Sequence, residues 1–247
     1  MPLRFLHPYI DVTKKIKHPS NPYVAKFLNG TLPIQYGEKL KSSMGEWRAE
    51  IDKFHVNSHA SSEIINKETS QRPLWIEIGC HTGEILITLA ERYPKHNVVG
   101  IDITFKRIVR SAEKILKKKL KNAMCLFADA RYIDELFAKE EVTGVVIFFP
   151  DPWLKKKRSK NRLVNREFCQ KLFCILQPGG FVWFKTDQKI YFDGVLECMD
   201  ELGFERQEAV EHTDFISEKR KYFSAFQRQF MHKDIPTFEA FLRKQSI

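Results

Sequence analysis

Five carboxylates recur at one kind of place in this sequence, at or just after the end of a short apolar run. Glu77 lies in Leu74-Trp75-Ile76-Glu77-Ile78, Asp102 near the end of Asn97 to Ile103, and Asp129 at the end of Ala123 to Ala130. Asp151 follows Val142 to Phe149, and Asp187 follows Phe181 to Thr186. If these runs are parallel strands, all five acids reach the rim where open α/β sheets bind their ligands. Like charges gathered on one rim repel, so the rim suits a ligand that is cationic or rich in hydrogen-bond donors.

The spacing narrows that ligand. Glu77-x-Gly79-x-x-x-Gly83 is a poor dinucleotide fingerprint, because position 81 is histidine and not glycine. Acids ending the first and third strands also disfavour a diphosphate. Asp102, 23 residues after Gly79, has the spacing at which a carboxylate grips a ribose diol. A nucleoside bearing a sulfonium and an amino group fits these features, which points to S-adenosylmethionine. Each residue also has a plain structural reading: a tight turn for Gly79 and Gly83, helix caps for Asp102 and Asp129.

Phe149-Pro150-Asp151-Pro152-Trp153 is the most specific local feature. Proline on both sides of Asp151 fixes φ twice and restricts the preceding residues, so one carboxylate and one indole are held stiffly. The stretch from Lys155 to Arg162 follows, with six Lys/Arg and no acid. A second basic window, Lys106 to Lys121, has eight Lys/Arg against the single Glu113. The two windows carry net +6 and +7, against +10 for the whole chain, so the positive excess is local and suited to a polyanion. Arg158 and Arg162 are the expected close phosphate contacts, with the second window as another clamp.

The elements that must position these groups can be read from periodicity. Strands are expected at 74–78, 97–103, 123–130, 142–149 and 181–186, with two further, antiparallel strands at 204–212 and 222–230. Helices are expected at 84–93, 105–120, 167–176, 191–202 and 236–244. The fold class is therefore α/β, a doubly wound, mostly parallel seven-stranded sheet with an antiparallel last strand. Residues 1–70, with five prolines and a polar stretch at 57–72, read as an irregular extension and linker. Short helices are expected in it at 23–28 and 46–54, and residues 71–247 read as the main domain.

The 247 residues are 43% hydrophobic and 29% charged, a composition that excludes wholesale disorder. Apolar runs such as Val145 to Phe149 are far too short to span a membrane, and the first residues lack the apolar core of a secretory signal. Five cysteines with no Cys-x-x-Cys pair read as small hydrophobes in a reducing compartment, so a cytoplasmic location is expected and no metal site.

The stretch Phe149 to Val164 closely resembles the hallmark motif of the tRNA (guanine-N7-)-methyltransferase family, in its bacterial single-chain type. Glu77-Ile78-Gly79-Cys80, Gly100-Ile101-Asp102, Ala128-Asp129-Ala130 and Phe184-Lys185-Thr186-Asp187 are similar to its other motifs, in the family's order. The likeness covers roughly 74–230 and implies a class I, Rossmann-like, S-adenosylmethionine-dependent enzyme that methylates N7 of the variable-loop guanosine 46 of tRNA. It implies that Glu77, Asp102, Asp129 and Asp151 line the cofactor site, with Gly79, Gly83 and Ala130 beside them, and that Asp151 also serves the reaction. Lys155, Asp187 and the region from Thr213, including Glu218, would meet the guanosine or its RNA, with Lys157, Arg158 and Arg162 in the basic run. The chain departs from the family at His81, where glycine is usual, and at Glu218, two positions later than the family's acid. Two other classes are compatible with parts of the pattern: an exocyclic-amine methylase, though its paired prolines are missing, and a silent RNA-binding relative. No feature demands an obligatory protein partner; a monomer or homodimer is expected.

Overall fold

The structure of the protein, a computed structural model, describes residues 21–56, 72–207 and 224–246. It divides into two compact units, Met1–Ala138 and Lys139–Ile247.

The first unit opens with helix α1 (Pro22–Leu28), strand β1 (Ile34–Tyr36) and helices α2 (Lys39–Ser42) and α3 (Trp47–Val56). Proline at the first position of α1 and an Asn21 side chain that accepts the Tyr23 amide set its start. Then come β2 (Leu74–Ile78), α4 (Glu84–Arg92), β3 (Asn97–Asp102), α5 (Phe105–Lys117) and β4 (Ala123–Phe127). A 3-10 turn at Ala130–Tyr132 and α6 (Ile133–Leu136) close the unit. The strands lie in the order β1-β4-β3-β2, each pair parallel. Every residue of β2, β3 and β4 is buried, which is why these strands read as continuous apolar runs and not as alternation. α5 buries Ile108, Val109, Ala112 and Ile115 and leaves most of its lysines and arginines outside.

The expected short helices in the N-terminal extension are present as α1 and α3, and the extension adds strand β1, which sequence reading did not anticipate. Its seat is aromatic. Phe27 packs against Tyr36, Phe105 and Phe127 at ring-centroid separations of 4.3, 4.8 and 5.8 Å. The fully buried Trp47 indole donates to the Leu136 carbonyl at 2.7 Å.

The second unit runs β5 (Val142–Phe148), a 3-10 helix at Lys156–Asn161, α7 (Arg166–Ile175), β6 (Leu176–Thr186) and α8 (Lys189–Glu201). It ends with β7 (Phe204–Gln207), α9 (Ala225–His232) and β8 (Phe238–Lys244). β5 and β6 are parallel, and β8 lies antiparallel between β6 and β7. The α/β class with mostly parallel strands and one antiparallel strand is thus as expected.

Two C-terminal assignments are corrected. The stretch 225–230, expected to be part of a strand, is helical. Ser224 caps α9 by accepting the Gln227 amide at 3.2 Å. Residues 238–244, expected to be helical, form β8. Phe241 and Leu242 are both buried, on opposite faces of a strand, and the Phe241 ring stacks on Phe181 at 4.7 Å. Ladder pairing with β6 and β7 overrides the helix-like spacing there. The strand expected at 204–212 is seen as β7, and its last five positions lie outside the described residues. Pro178-Gly179-Gly180, which precedes the strand expected at 181–186, lies inside β6, where the register with β5 shifts between Val142 and Gly144.

Candidate active site

In the first unit the parallel register sets Ile78 level with Ile101, and Asp102 level with Phe127. The carboxyl ends of three adjacent strands therefore deliver Glu77, Asp102 and Asp129 to one rim. All three are buried.

Glu77 accepts a backbone hydrogen bond from Leu86, in the first turn of α4, so an otherwise unsatisfied helix amide faces the carboxyl. Its Oε2 is buried with no hydrogen-bond partner among the described residues. Burial pushes its pKa up to about 8, with the neighbouring Asp102 and Glu84 charges adding to the rise. A buried carboxyl with an idle oxygen is matched by a cation or donor from a ligand.

The loop that follows is built from left-handed residues. Gly79, His81 and Gly83 have φ of +75°, +50° and +75°. A Cβ on Gly79 would meet nothing within 4 Å, so open space lies beside its backbone. On Gly83 a Cβ would come within 2.8 Å of Ser111 Oγ, so this glycine serves the approach of α5. His81 occupies a conformation that glycine adopts more easily. Its amide donates to Asp102 Oδ2 at 3.0 Å, and the Thr104 amide donates to Oδ1 at 2.7 Å. Asp102 is thus oriented by backbone donors on both oxygens, with Arg107 at 3.9 Å, and burial raises its pKa.

Asp129 caps the 3-10 turn that begins at Ala130, accepting the Arg131 amide at 3.1 Å, and its carboxylate is also paired with the Arg131 guanidinium. The cap reading is therefore realised at Asp129, beside any binding role. These residues fit S-adenosylmethionine: Glu77 offers an idle buried acceptor, Gly79 an open backbone, and Asp102 a held carboxylate with spare lone pairs.

In the second unit, Phe148 of β5 is level with Lys185 of β6, so the Pro-Asp-Pro-Trp loop and Thr186-Asp187 leave neighbouring strand ends. Phe149 and Trp153, which bracket the loop, have φ of +52° and +42°. Asp151 is exposed, with no hydrogen-bond or ion-pair partner for its carboxylate among the described residues. Asp187 is half-buried and accepts from Gln188 Nε2 at 2.6 Å.

The basic run begins at Lys155, which precedes the 3-10 helix. With about three residues per turn, this helix aligns Lys157 with Lys160 along one edge. Lys155, Lys157, Arg158 and Lys160 are exposed, and the Arg158 guanidinium lies 6.0 Å from the Trp153 ring centroid. Arg162 differs from them: it is half-buried and donates through Nε to the Pro152 carbonyl at 2.8 Å.

Sequence reading missed Lys185. Its side chain is 1% exposed, with the ammonium 4.6 and 4.5 Å from the centroids of the Phe148 and Trp183 rings, Gln227 Oε1 at 3.3 Å and Glu239 Oε1 at 3.6 Å. Its place in Phe184-Lys185-Thr186-Asp187 was visible, but the partners from α9 and β8 were not. Lys114 of α5 donates to the Thr82 carbonyl at 2.6 Å, and Lys118, just past the end of α5, pairs with Glu91 at 2.8 Å. An open cleft of about 410 Å³ beside them is lined by Thr82, Arg110, Glu113, Lys114 and Lys117. Thr213 and Glu218 lie outside the described residues. No helix among the described residues is long and apolar enough to cross a membrane, and none of their His, Cys, Asp and Glu side chains cluster as a metal site.

Comparison with known proteins gives a consistent picture. A family model described as "Putative methyltransferase" matches residues 71–240. A Bdellovibrio bacteriovorus protein named tRNA (guanine-N(7)-)-methyltransferase is 31% identical over 218 residues, covering 85% of this chain and 98% of that protein. A bifunctional glycosyltransferase/methyltransferase of Fusobacterium nucleatum is 32% identical over 162 residues, covering 64% of this chain and 25% of that protein. Five further relatives sharing the Bdellovibrio protein's name are matched over 60–63% of their own length, so the chain spans less than two thirds of most of these relatives. Among solved structures, the [4+2]-cyclase SpnF shares the fold, with a TM-score of 0.50, 13% identity, and coverage of 71% of this chain and 76% of that one. The matched model, the nearly full-length relative and the motif order together place this chain in the tRNA (guanine-N7-)-methyltransferase family.

Proposed function

We propose that this chain transfers a methyl group from S-adenosylmethionine to N7 of a guanosine in tRNA, the variable-loop guanosine 46. The observation that carries this reading is Asp151: an exposed carboxylate on a proline-stiffened loop, followed at once by a run of exposed cations. The names of the relatives support the same substrate class.

Glu77, Gly79, Gly83, Asp102, Asp129 and Ala130 would hold the cofactor, with Glu77 facing its positive charge and Asp102 its ribose. Bound there, S-adenosylmethionine supplies an electrophilic methyl group on a sulfonium. Guanine N7 already presents a lone pair and carries no proton, so the protein has no proton to remove. Its work is alignment in a water-poor site. Asp151 would accept hydrogen bonds from the N1–H and amino edge of the guanine, favouring electron density at N7 and offsetting the charge that develops on the ring. Lys155, Lys157 and Arg158 would grip phosphates, which positions RNA without reading its sequence. Asp187, Thr213 and Glu218 would contact the target nucleoside, and the basic face of α5 would hold a further part of the RNA. We place this activity in the cytoplasm, with no obligatory protein partner.

The test is turnover of Asp151→Asn, measured together with S-adenosylmethionine affinity. Turnover should fall by about 100-fold or more, the scale of losing an electrostatic stabiliser. Normal turnover with normal cofactor binding would remove Asp151 from this role.

A further inference from the structure

Two residues with left-handed backbone, Phe149 and Trp153, bracket Pro150-Asp151-Pro152. For residues other than glycine this conformation is strained, and at Phe149 the following proline restricts the backbone further. Such a conformation persists only where its surroundings over-determine it. Each end of the loop should therefore have a brace.

The first brace is in the sheet. The Phe149 amide donates to the Lys185 carbonyl at 2.8 Å, and the Phe149 ring rests against Phe230 of α9 at 5.2 Å. The second brace is Arg162. Its Nε donates to the Pro152 carbonyl at 2.8 Å, which fixes the peptide plane leading into Trp153. Its guanidinium lies over the Tyr191 ring at 4.8 Å. Tyr191 is itself buried, and its hydroxyl accepts the Val164 amide at 2.9 Å. The backbone on the far side of Arg162 is thus tied to the same tyrosine that the guanidinium covers.

We propose that Arg162 is a positioning residue for the Asp151 loop, distinct in task from the exposed cations that precede it in the same basic run. The proposal rests on the reading of Asp151 as the group that meets the guanine. Planarity matters here: a guanidinium can donate in its plane and stack through its face at once, whereas an ammonium cannot. A charge-preserving substitution therefore separates the two tasks. A phosphate contact would survive Arg162→Lys; a stacked brace would not.

The experiment compares the full chain with Arg162→Lys, Arg162→Ala, Tyr191→Leu and Arg158→Ala. Amide hydrogen exchange over 149–154 needs no substrate. It should speed up about 2- to 10-fold in both Arg162 variants and in Tyr191→Leu, and stay at the wild-type rate in Arg158→Ala. Arg162→Lys should lower kcat about tenfold or more, with the KM for tRNA within about twofold and the salt dependence of RNA binding unchanged. Arg158→Ala should instead flatten that salt dependence by about 0.7–0.9 in slope. Wild-type loop exchange and kcat in Arg162→Lys would overturn the proposal, as would a flattened salt slope with retained kcat in Arg162→Ala. If Arg162→Ala fails to fold, Arg162→Lys and Tyr191→Leu decide the matter. If the wild-type chain methylates no tRNA, the proposed function fails, while loop exchange still reports on the brace.

Discussion

Glu77 joins a buried carboxyl to one helix amide and leaves one oxygen idle, so its protonation state should report on whatever binds beside it. Its pKa of about 8 in the folded chain lies above its ordinary value of 4.5. Between these values the folded state holds a proton that the unfolded state has released, so the ligand-free protein should lose stability as pH rises from about 4.5 to 8. A cationic ligand favours the ionised form, so S-adenosylmethionine should bind more tightly as pH rises through that range. Glu77→Gln should flatten the stability profile, read as unfolding midpoints from pH 5 to 9, and weaken the cofactor about tenfold or more, the scale of a charge-assisted hydrogen bond. A wild-type slope in that variant would show that Glu77 does not titrate in this way. His81 makes a second test. Its left-handed backbone suits glycine, so His81→Gly should shift stability by less than about 1 kcal/mol, as relief of strain offsets the freer unfolded chain. His81→Val, β-branched at positive φ, should destabilise by more than about 1 kcal/mol in the same denaturation assay. Of these features, the sequence carried the acids at the strand ends but not their states. The Leu86 amide on Glu77 and the Arg131 guanidinium on Asp129 arise from local packing that no spacing announces.

At the scale of elements, the basic run divides by geometry into an exposed 3-10 face and a half-buried end. Combined Lys157→Ala and Lys160→Ala substitutions on one edge of this helix should lower the salt slope of RNA binding by about 0.7–0.9 for each phosphate left without its cation, with little change in cofactor affinity. An unchanged slope would mean that this edge does not face phosphates. A count of charges could not separate Arg162 from its neighbours, since its partners Pro152 and Tyr191 lie 10 and 29 residues away in sequence. Strands β2 to β5 were legible because near-complete burial makes them continuous apolar runs, and α5 because its apolar and basic faces part cleanly. The C-terminal pair was not. Phe238, Phe241 and Leu242 have helical spacing and follow a proline suited to a helix start, yet pairing on both sides makes that segment a strand. Ser224 as a cap was present in the sequence and would have marked α9.

At the scale of the molecule, each of the two compact units carries its own set of charged groups. The first unit gathers the buried acids, and residues 22–56 are integral to it: β1 extends its sheet and Phe27 fills an aromatic seat. Phe27→Ala should therefore cost about 3–5 kcal/mol, read as a lower denaturation midpoint; a change below about 1 kcal/mol would show that this segment is dispensable to the fold. The second unit carries the braced acid and the cations. The measurement that bears most directly on the proposed activity is transfer of labelled methyl from S-adenosylmethionine to unmodified tRNA, followed by digestion and identification of the labelled nucleoside. The expected product is N7-methylguanosine from the variable loop. Label in any other nucleoside, or no transfer by a folded chain that binds the donor, would contradict the proposed activity.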